Sequence, residues 1–172
     1  MSCKIAKLGE DVLRLKAKKV KDIHSDEIQT IIKEMLSCVK KSNGVGLAAP
    51  QVFHSYEILI ISSHPNERYP HAPYMEDEII INPTIIEKSK EKEKGWEGCL
   101  SIPGIRAQVP RHTKIKVKYT NINNEEKTEI FEGFIARVFQ HEYDHLKGLV
   151  YLDRVEDMKD IITEEIYFKK ID

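Results

Sequence analysis

The stretch best equipped for chemistry is His141-Glu142-Tyr143-Asp144-His145. Its pattern is HExxH. On a helix, residues four apart share a face, so His141 and His145 stand one turn apart and can grip one divalent cation. Glu142 then lies beside the cation, placed to take a proton from a water. By itself the motif reads as a metalloprotease signature, and paired histidines on a helix are also common as packed polar residues. The rest of the chain has to decide between these.

The element that must carry the motif is a helix. Phe134, Val138, His141 and His145 form one stripe at helical spacing, and Ile135, Phe139, Glu142 and Leu146 form its neighbour. A helix apolar over so much of its circumference is expected to be buried. Gly148 follows, where a left-handed cap ends it. The start near Gly133 carries no Ser, Thr, Asp or Asn cap, so that boundary is set less firmly.

Two imidazoles need a third partner. Residues 95–106 read Gly-Trp-Glu-Gly-Cys-Leu-Ser-Ile-Pro-Gly-Ile-Arg. Cys99 would complete a site of one thiolate and two imidazoles, with the open position that hydrolysis requires. A downstream carboxylate, Asp153 or Glu156, is the alternative, and spacing leaves both readings open.

At 172 residues the chain suits one domain spanning 1–172 with a real core. It is 41% hydrophobic and 32% charged, with a net charge of -1. Nothing in that balance draws it to nucleic acid or to a membrane surface. The apolar runs are strand-sized, and the start lacks a signal-peptide core or a clear transit peptide. An intracellular, cytoplasmic location is therefore expected. The odd count of 3 cysteines argues against a disulfide framework. Cys3 reads as incidental and Cys38 as a small core residue.

Along the chain, residues 1–24 are expected to be an irregular arm packed through Ile5, Leu8, Val12, Leu13 and Val20. Residues 25–42 are the clearest amphipathic helix. Ser25 caps it, Ile28, Ile31, Ile32, Met35, Leu36 and Val39 face the core, and Asn43-Gly44 ends it. Residues 57–62 read as a buried strand and 63–77 as a surface loop. Residues 78–88 read as two strands broken at Asn82-Pro83, and 89–95 as a Lys-rich turn. Residues 114–120 alternate as a half-buried strand and 127–132 return beside it. Leu149 to Leu152 suggest a short strand, and Met158, Ile161, Ile162 and Ile166 a final amphipathic helix.

Three stretches together make the chain recognisable: Gly44-Val45-Gly46-Leu47-Ala48-Ala49-Pro50-Gln51, Glu97-Gly98-Cys99-Leu100-Ser101, and Gln140-His141-Glu142-Tyr143-Asp144-His145. In sequence and in order they resemble the signature motifs of peptide deformylases, and Val12-Leu13-Arg14 and Asn82-Pro83 extend the likeness. The resemblance implies an α+β fold, with mixed or antiparallel sheets packed around the central HExxH helix. An N-terminal amphipathic helix and a C-terminal helix complete it. It implies a metal-dependent hydrolase that removes the formyl group from the formyl-methionine of nascent polypeptides, releasing formate. Fe2+ is the implied cofactor, with Zn2+, Ni2+ or Co2+ able to occupy the site. Cys99, His141 and His145 would be the ligands and Glu142 the general acid/base. Gln51 and the backbone N–H of Leu100 would form the oxyanion hole. Val45, Gly46, Gly98 and Arg106 would bind the peptide.

Two departures concern the rim of the site. Where the family often has Gly and then Arg, this chain has Phe53 and Glu57, and its 63–77 loop is longer than in many members. Some members dock on the ribosome through the C-terminal helix. Here that segment mixes Glu164 and Glu165 with Lys169 and Lys170, so any ribosome contact is expected to be transient. Two rivals remain at this stage, an HExxH peptidase cutting internal bonds and a non-catalytic metal-binding relative.

Overall fold

The computed structural model describes residues 3–171. The first long element, α1 (Asp26–Lys41), starts where Ser25 accepts a hydrogen bond from the Ile28 N–H at 3.4 Å. Asp26 and Glu27 at its start and Lys40 and Lys41 at its end both suit the helix dipole. Ile28, Ile31, Ile32, Met35, Cys38 and Val39 are buried, the face that the apolar spacing predicts.

Strands β1 (Gly46–Ala48), β2 (Ile58–Ile61) and β3 (Glu78–Lys88) follow. Next come β4 (Lys92–Cys99), β5 (Ile102–His112), β6 (Lys114–Thr120) and β7 (Glu126–Glu132). Helix α2 (Gly133–Leu146) carries HExxH, and β8 (Ile161–Thr163) and α3 (Glu164–Ile171) end the described chain. A five-stranded sheet runs β1-β2-β3-β6-β7 and a three-stranded sheet runs β4-β5-β8. Of the mixed or antiparallel sheets expected, every pairing of these strands is antiparallel.

Strand β2 shows why the layers form. Successive side chains of a strand point to opposite faces. Leu59 and Ile61 pack with Ala136, Val138, Phe139 and Leu146 of α2. Ile58 and Ile60 pack on the other side with Ile28, Ile31 and Ile32 of α1. That is why its sequence is apolar without alternation. Each such buried side chain contributes about 2 kcal/mol of transfer free energy. The smaller sheet packs through Cys99, Ile102, Ala107 and Val109 onto Val150 and Tyr151, just after α2. Helix α2 is thus held between the sheets. No helix among the described residues is long and apolar enough to cross a membrane.

Several expectations change. Asn82-Pro83 does not split its segment but forms an irregularity within one strand, β3, where the register with β6 shifts. Asn82 adopts a φ of 52°, and its side chain bonds the N–H and the carbonyl of Val20 at 2.8 and 2.9 Å. A proline is tolerated at such a bulge because no ladder donor is lost there. The Lys-rich turn shortens because Lys92 to Gly95 pair with β5. Tyr151–Arg154 is a 3-10 turn rather than part of a strand, with Asp153 Oδ2 accepting from Val150 N–H at 2.8 Å. The expected final helix divides. Ile161 and Ile162, β-branched, pair with β5, and α3 begins only after Thr163, whose hydroxyl accepts from Ile166 N–H. Cys3 is not incidental: it forms a disulfide with Cys38. The odd cysteine is Cys99, which is free and buried.

Candidate metal centre

Cys99 comes from the end of β4, and His141 and His145 from one face of α2. The ligand atoms these three residues offer all lie within 4.8 Å of one another, and all three residues are buried. Cys99 Sγ is 3.4 Å from His145 Nε2. His141 turns its Nδ1 to Glu97 Oε2 at 2.9 Å, which leaves Nε2 for the centre. Its ring also stacks on Tyr151, with centroids 5.7 Å apart. A sulfur and two ring nitrogens brought together from distant chain positions fit a divalent transition metal with an open position. Glu142 Oε2, a buried polar atom left without a protein partner, belongs to a residue that lines the same cleft.

The local electrostatics match this chemistry. Burial pushes the Cys99 thiol up, but the His145 charge and a hydrogen bond from His141 override it and hold the thiol well below its ordinary range. Burial lowers His141, but hydrogen bonds with Cys99 and Glu97 raise it well above its ordinary value. Burial raises Glu142 to about 7, although the charges of His141 and His145 oppose that rise. A carboxyl group poised near neutrality suits proton transfer in both directions at physiological pH.

The carboxamide of Gln51 has a fixed orientation. Its Oε1 accepts from Ala48 N–H at 2.9 Å, so Nε2 faces Cys99 Sγ at 3.5 Å and Ser101 Oγ at 3.3 Å. Val45, Gly46, Gly98 and Leu100 line the same cleft, together with His141 and Glu142. Packing explains both glycines. A Cβ on Gly46 would come within 2.7 Å of Glu142 Oε1, and one on Gly98 within 2.7 Å of Arg106 Nε. Arg106 is set apart from the other expected peptide-binding residues. It is fully buried behind Gly98, donates to Glu164 Oε1 at 2.8 and 3.2 Å, and lies against the rings of Tyr69 and Tyr167. The alternative third ligands are engaged elsewhere, Asp153 with Arg14 and Glu156 with Lys94.

Behind the ligands lies a buried ionic network to which the sequence reading gave no role. Arg111 donates to both Glu97 oxygens at 2.9 and 3.0 Å and to Asp144 Oδ2 at 2.6 Å. Arg137 and Arg154 complete it through Glu97 and Asp144. One signal is Glu97's place two residues before Cys99 in the same motif, although the β4–β5 register shifts between them, so simple strand alternation does not fix their relation. Phe53 and Glu57 also find their places. Phe53 takes a left-handed φ of 67° with Lys4 Nζ over its ring, and Glu57 pairs with Lys147 at 3.0 Å, tying the start of β2 to the end of α2.

Comparison with known proteins agrees with this arrangement. Residues 2–160 match the family model described as polypeptide deformylase. The chain is 50% identical over 163 residues to peptide deformylase 2 of Nostoc sp., covering 95% of this chain and 91% of that one. It is 43% identical over 150 residues to peptide deformylase 2 of Shewanella oneidensis, covering 87% and 82%. Among solved structures it resembles the Met-Ala-Ser-bound class I type b peptide deformylase from Acinetobacter baumannii. The TM-score is 0.85 at 43% identity, over 88% of this chain and 96% of that one. It also resembles the actinonin-bound peptide deformylase from Synechococcus elongatus, with a TM-score of 0.80 at 35% identity over 91% and 80%. With the match running through nearly the whole chain and through every segment that builds the centre, this chain belongs to the polypeptide deformylase family.

Proposed function

We propose that Cys99, His141 and His145 hold a divalent cation, Fe2+ in the cell, with Zn2+, Ni2+ or Co2+ able to replace it, and that Glu142 moves the protons. The chain is a metal-dependent hydrolase that removes the N-formyl group from nascent polypeptides. The observation that carries the assignment of roles is the convergence of the three donors beside a buried, unpartnered Glu142 oxygen.

A bound cation supplies Lewis acidity there, polarising the formyl carbonyl and lowering the pKa of water toward ~7. Glu142 takes the proton from the water that attacks the formyl carbon, then delivers it to the amine as formate leaves. Its buried, unpartnered Oε2 leaves one group free to serve as base and then as acid. Gln51 Nε2, held by its bond to Ala48, donates to the formyl oxygen as charge gathers there, beside the Leu100 N–H. Removing one such donor costs about 3 kcal/mol of transition-state stabilisation. Val45, Gly46 and Gly98 offer backbone groups to an extended peptide. Arg106 supports this wall from behind Gly98. Discrimination between formyl and acetyl is steric, with no room for a further methyl group. The reading carries a cytoplasmic address, where nascent chains are made, and at most transient contact with the ribosome.

The test is formyl-Met-Ala-Ser incubated with the Fe(II) or Ni(II) protein. Release of formate, with internal peptide bonds intact, is the expected result. Internal cleavage, or binding without turnover, overturns the assignment. The thiolate ligand invites oxidation, so the iron form is expected to lose activity in air faster than the nickel or cobalt form.

A further inference from the structure

The cleft is lined by two arginines beyond its catalytic groups, and their situations differ. Arg137 is well occupied. Its Nη1 reaches Val109 O at 2.7 Å and Glu97 Oε1 at 3.1 Å, and its Nη2 reaches Glu93 O at 2.7 Å. Arg68, on the loop between β2 and β3, lines the same cleft beside Tyr69, Trp96 and Gly98. Its side chain is 21% exposed, and its guanidinium makes no hydrogen bond among the described residues. Its nearest carboxylate oxygen, Glu164 Oε1, is 3.9 Å away and already takes two hydrogen bonds from Arg106 at 2.8 and 3.2 Å. Arg68 is thus a half-sheltered cation with unused donors facing the passage that a peptide must occupy.

The backbone that carries that cation is anchored, and its guanidinium lies over the Tyr69 ring at 5.9 Å. The backbone N–H groups of Arg68 and Tyr69 both donate to Asn66 Oδ1, at 2.9 and 3.0 Å. The Tyr69 hydroxyl donates to Gly98 O at 3.3 Å, and its ring meets Phe134 edge-on at 5.7 Å. These contacts tie the Arg68 loop to β4 and α2, the elements that carry the metal ligands.

We propose that Arg68 is a specificity-determining residue, donating to an acidic side chain on the second or third residue of the formylated peptide. The proposal rests on the deformylase reading and adds a preference to it. An acidic group at the cleft meets free donors carried on an anchored loop, whereas a basic one meets a like charge. The gain belongs to binding rather than to the chemical step, because Arg68 touches no reacting atom. It therefore enters KM and leaves kcat in place.

The test uses the metal-loaded protein and two amidated sets, formyl-Met-X-Ser and formyl-Met-Ala-X, with X as Asp, Asn or Lys. Amidation removes the terminal carboxylate as a competing anion. Wild type is expected to favour Asp over Asn by about fivefold in kcat/KM in at least one set, mainly through KM, and to disfavour Lys. Raised salt should shrink the preference. Arg68→Gln should level the series while keeping kcat on the Asn peptides, and Arg68→Lys should restore part of it. An equal Asp-to-Asn ratio in wild type and Arg68→Gln, with formate still released, overturns the role of Arg68 alone. No formate from any peptide overturns both this proposal and the reading beneath it.

Discussion

Glu97 Oε2 sits 2.9 Å from Nδ1 of His141, so a carboxylate on β4 fixes the ring of a ligand on α2. The same carboxylate is clasped by Arg111 at 2.9 and 3.0 Å, so it has little freedom to turn away. Such outer partners set which nitrogen of a histidine is free and how basic it is.

Glu97→Gln tests this coupling. The amide keeps the shape but loses the negative charge that the His141 ring donates to. Metal affinity is expected to fall about 10- to 100-fold, with the fold retained. Competition for metal against a chelator, read by metal analysis, checks it. Unchanged affinity would show that His141 needs no help from Glu97.

The ionic network also predicts the acid response. Burial alone would raise Glu97 and Asp144, yet Arg111 beside Glu97, and Arg154 and Arg111 beside Asp144, hold both below the ordinary carboxylate range. Each folded pKa is therefore lower than the unfolded value of about 4. The unfolded chain binds more protons in that window, so this stability is full above about pH 5 and drains away as pH falls. Arg111→Met removes the cation that Glu97 and Asp144 share, leaving Arg137 and Arg154 as their remaining cationic partners, and should cost about 3 kcal/mol at neutral pH. In that variant acid protonates groups that were costly when charged. The gap to wild type should therefore narrow as melts are run from pH 7 down to pH 4. Parallel curves would sink the argument.

The helix bearing HExxH, the capped helix α1 and the buried strand β2 were legible because one-dimensional spacing reports directly on burial. The ligand set was legible only through the joint occurrence of three motifs, since neither Cys99 nor Asp153 is favoured by spacing alone. What escaped was pairing at a distance. Nothing local joins Cys3 to Cys38, or Arg111 to Glu97 and Asp144. The C-terminal segment departs from its helical expectation for a related reason. Ile161 and Ile162 fit a helical stripe as well as a strand, and only β5, with Arg106 opposite Ile162, settles them as β8. The resemblance to the family implies Arg106 as a peptide contact. The structure turns it inward, where Glu164 and the aromatic rings take it.

Gly46 and Glu142 give a sharper test of the proposed catalytic role. A methyl group at Gly46 would come within 2.7 Å of Glu142 Oε1 and 2.9 Å of Val138 Cγ1, so the carboxyl group must shift. A displacement of about 1 Å at a reacting group costs on the order of 100-fold in rate. Gly46→Ala should therefore lose turnover while keeping its metal. Glu142→Ala should also keep its metal and lose about 100- to 10,000-fold in kcat. If the first change acts only through Glu142, the double variant will be no slower than Glu142→Ala. A further loss in the double variant would assign Gly46 a separate role toward the peptide. Metal lost from Glu142→Ala would make Glu142 a ligand instead.

The Cys3–Cys38 disulfide joins the N-terminal arm to α1 across a separation of 35 residues. The arm then runs to the catalytic wall. Ala6 N–H donates to Gln51 O at 2.8 Å, Leu8 N–H to Ser101 O at 2.9 Å, and Lys7 Nζ to Leu100 O at 2.8 Å. Closing a loop of this size restricts the unfolded chain and is expected to contribute about 2–4 kcal/mol. Thermal melts with and without a phosphine reductant should show a lower Tm for reduced wild type. Cys3→Ser should already melt at that lower value and ignore the reductant. Since the arm's hydrogen bonds remain in the folded state, kcat at 25 °C should stay within about twofold of wild type in both cases, because a cross-link acting on the unfolded chain leaves the native site in place. A Tm that reduction does not move would mean the bond adds nothing to stability. A collapse of kcat with the fold intact would mean that the arm needs the bond to hold Gln51 and Leu100 in position.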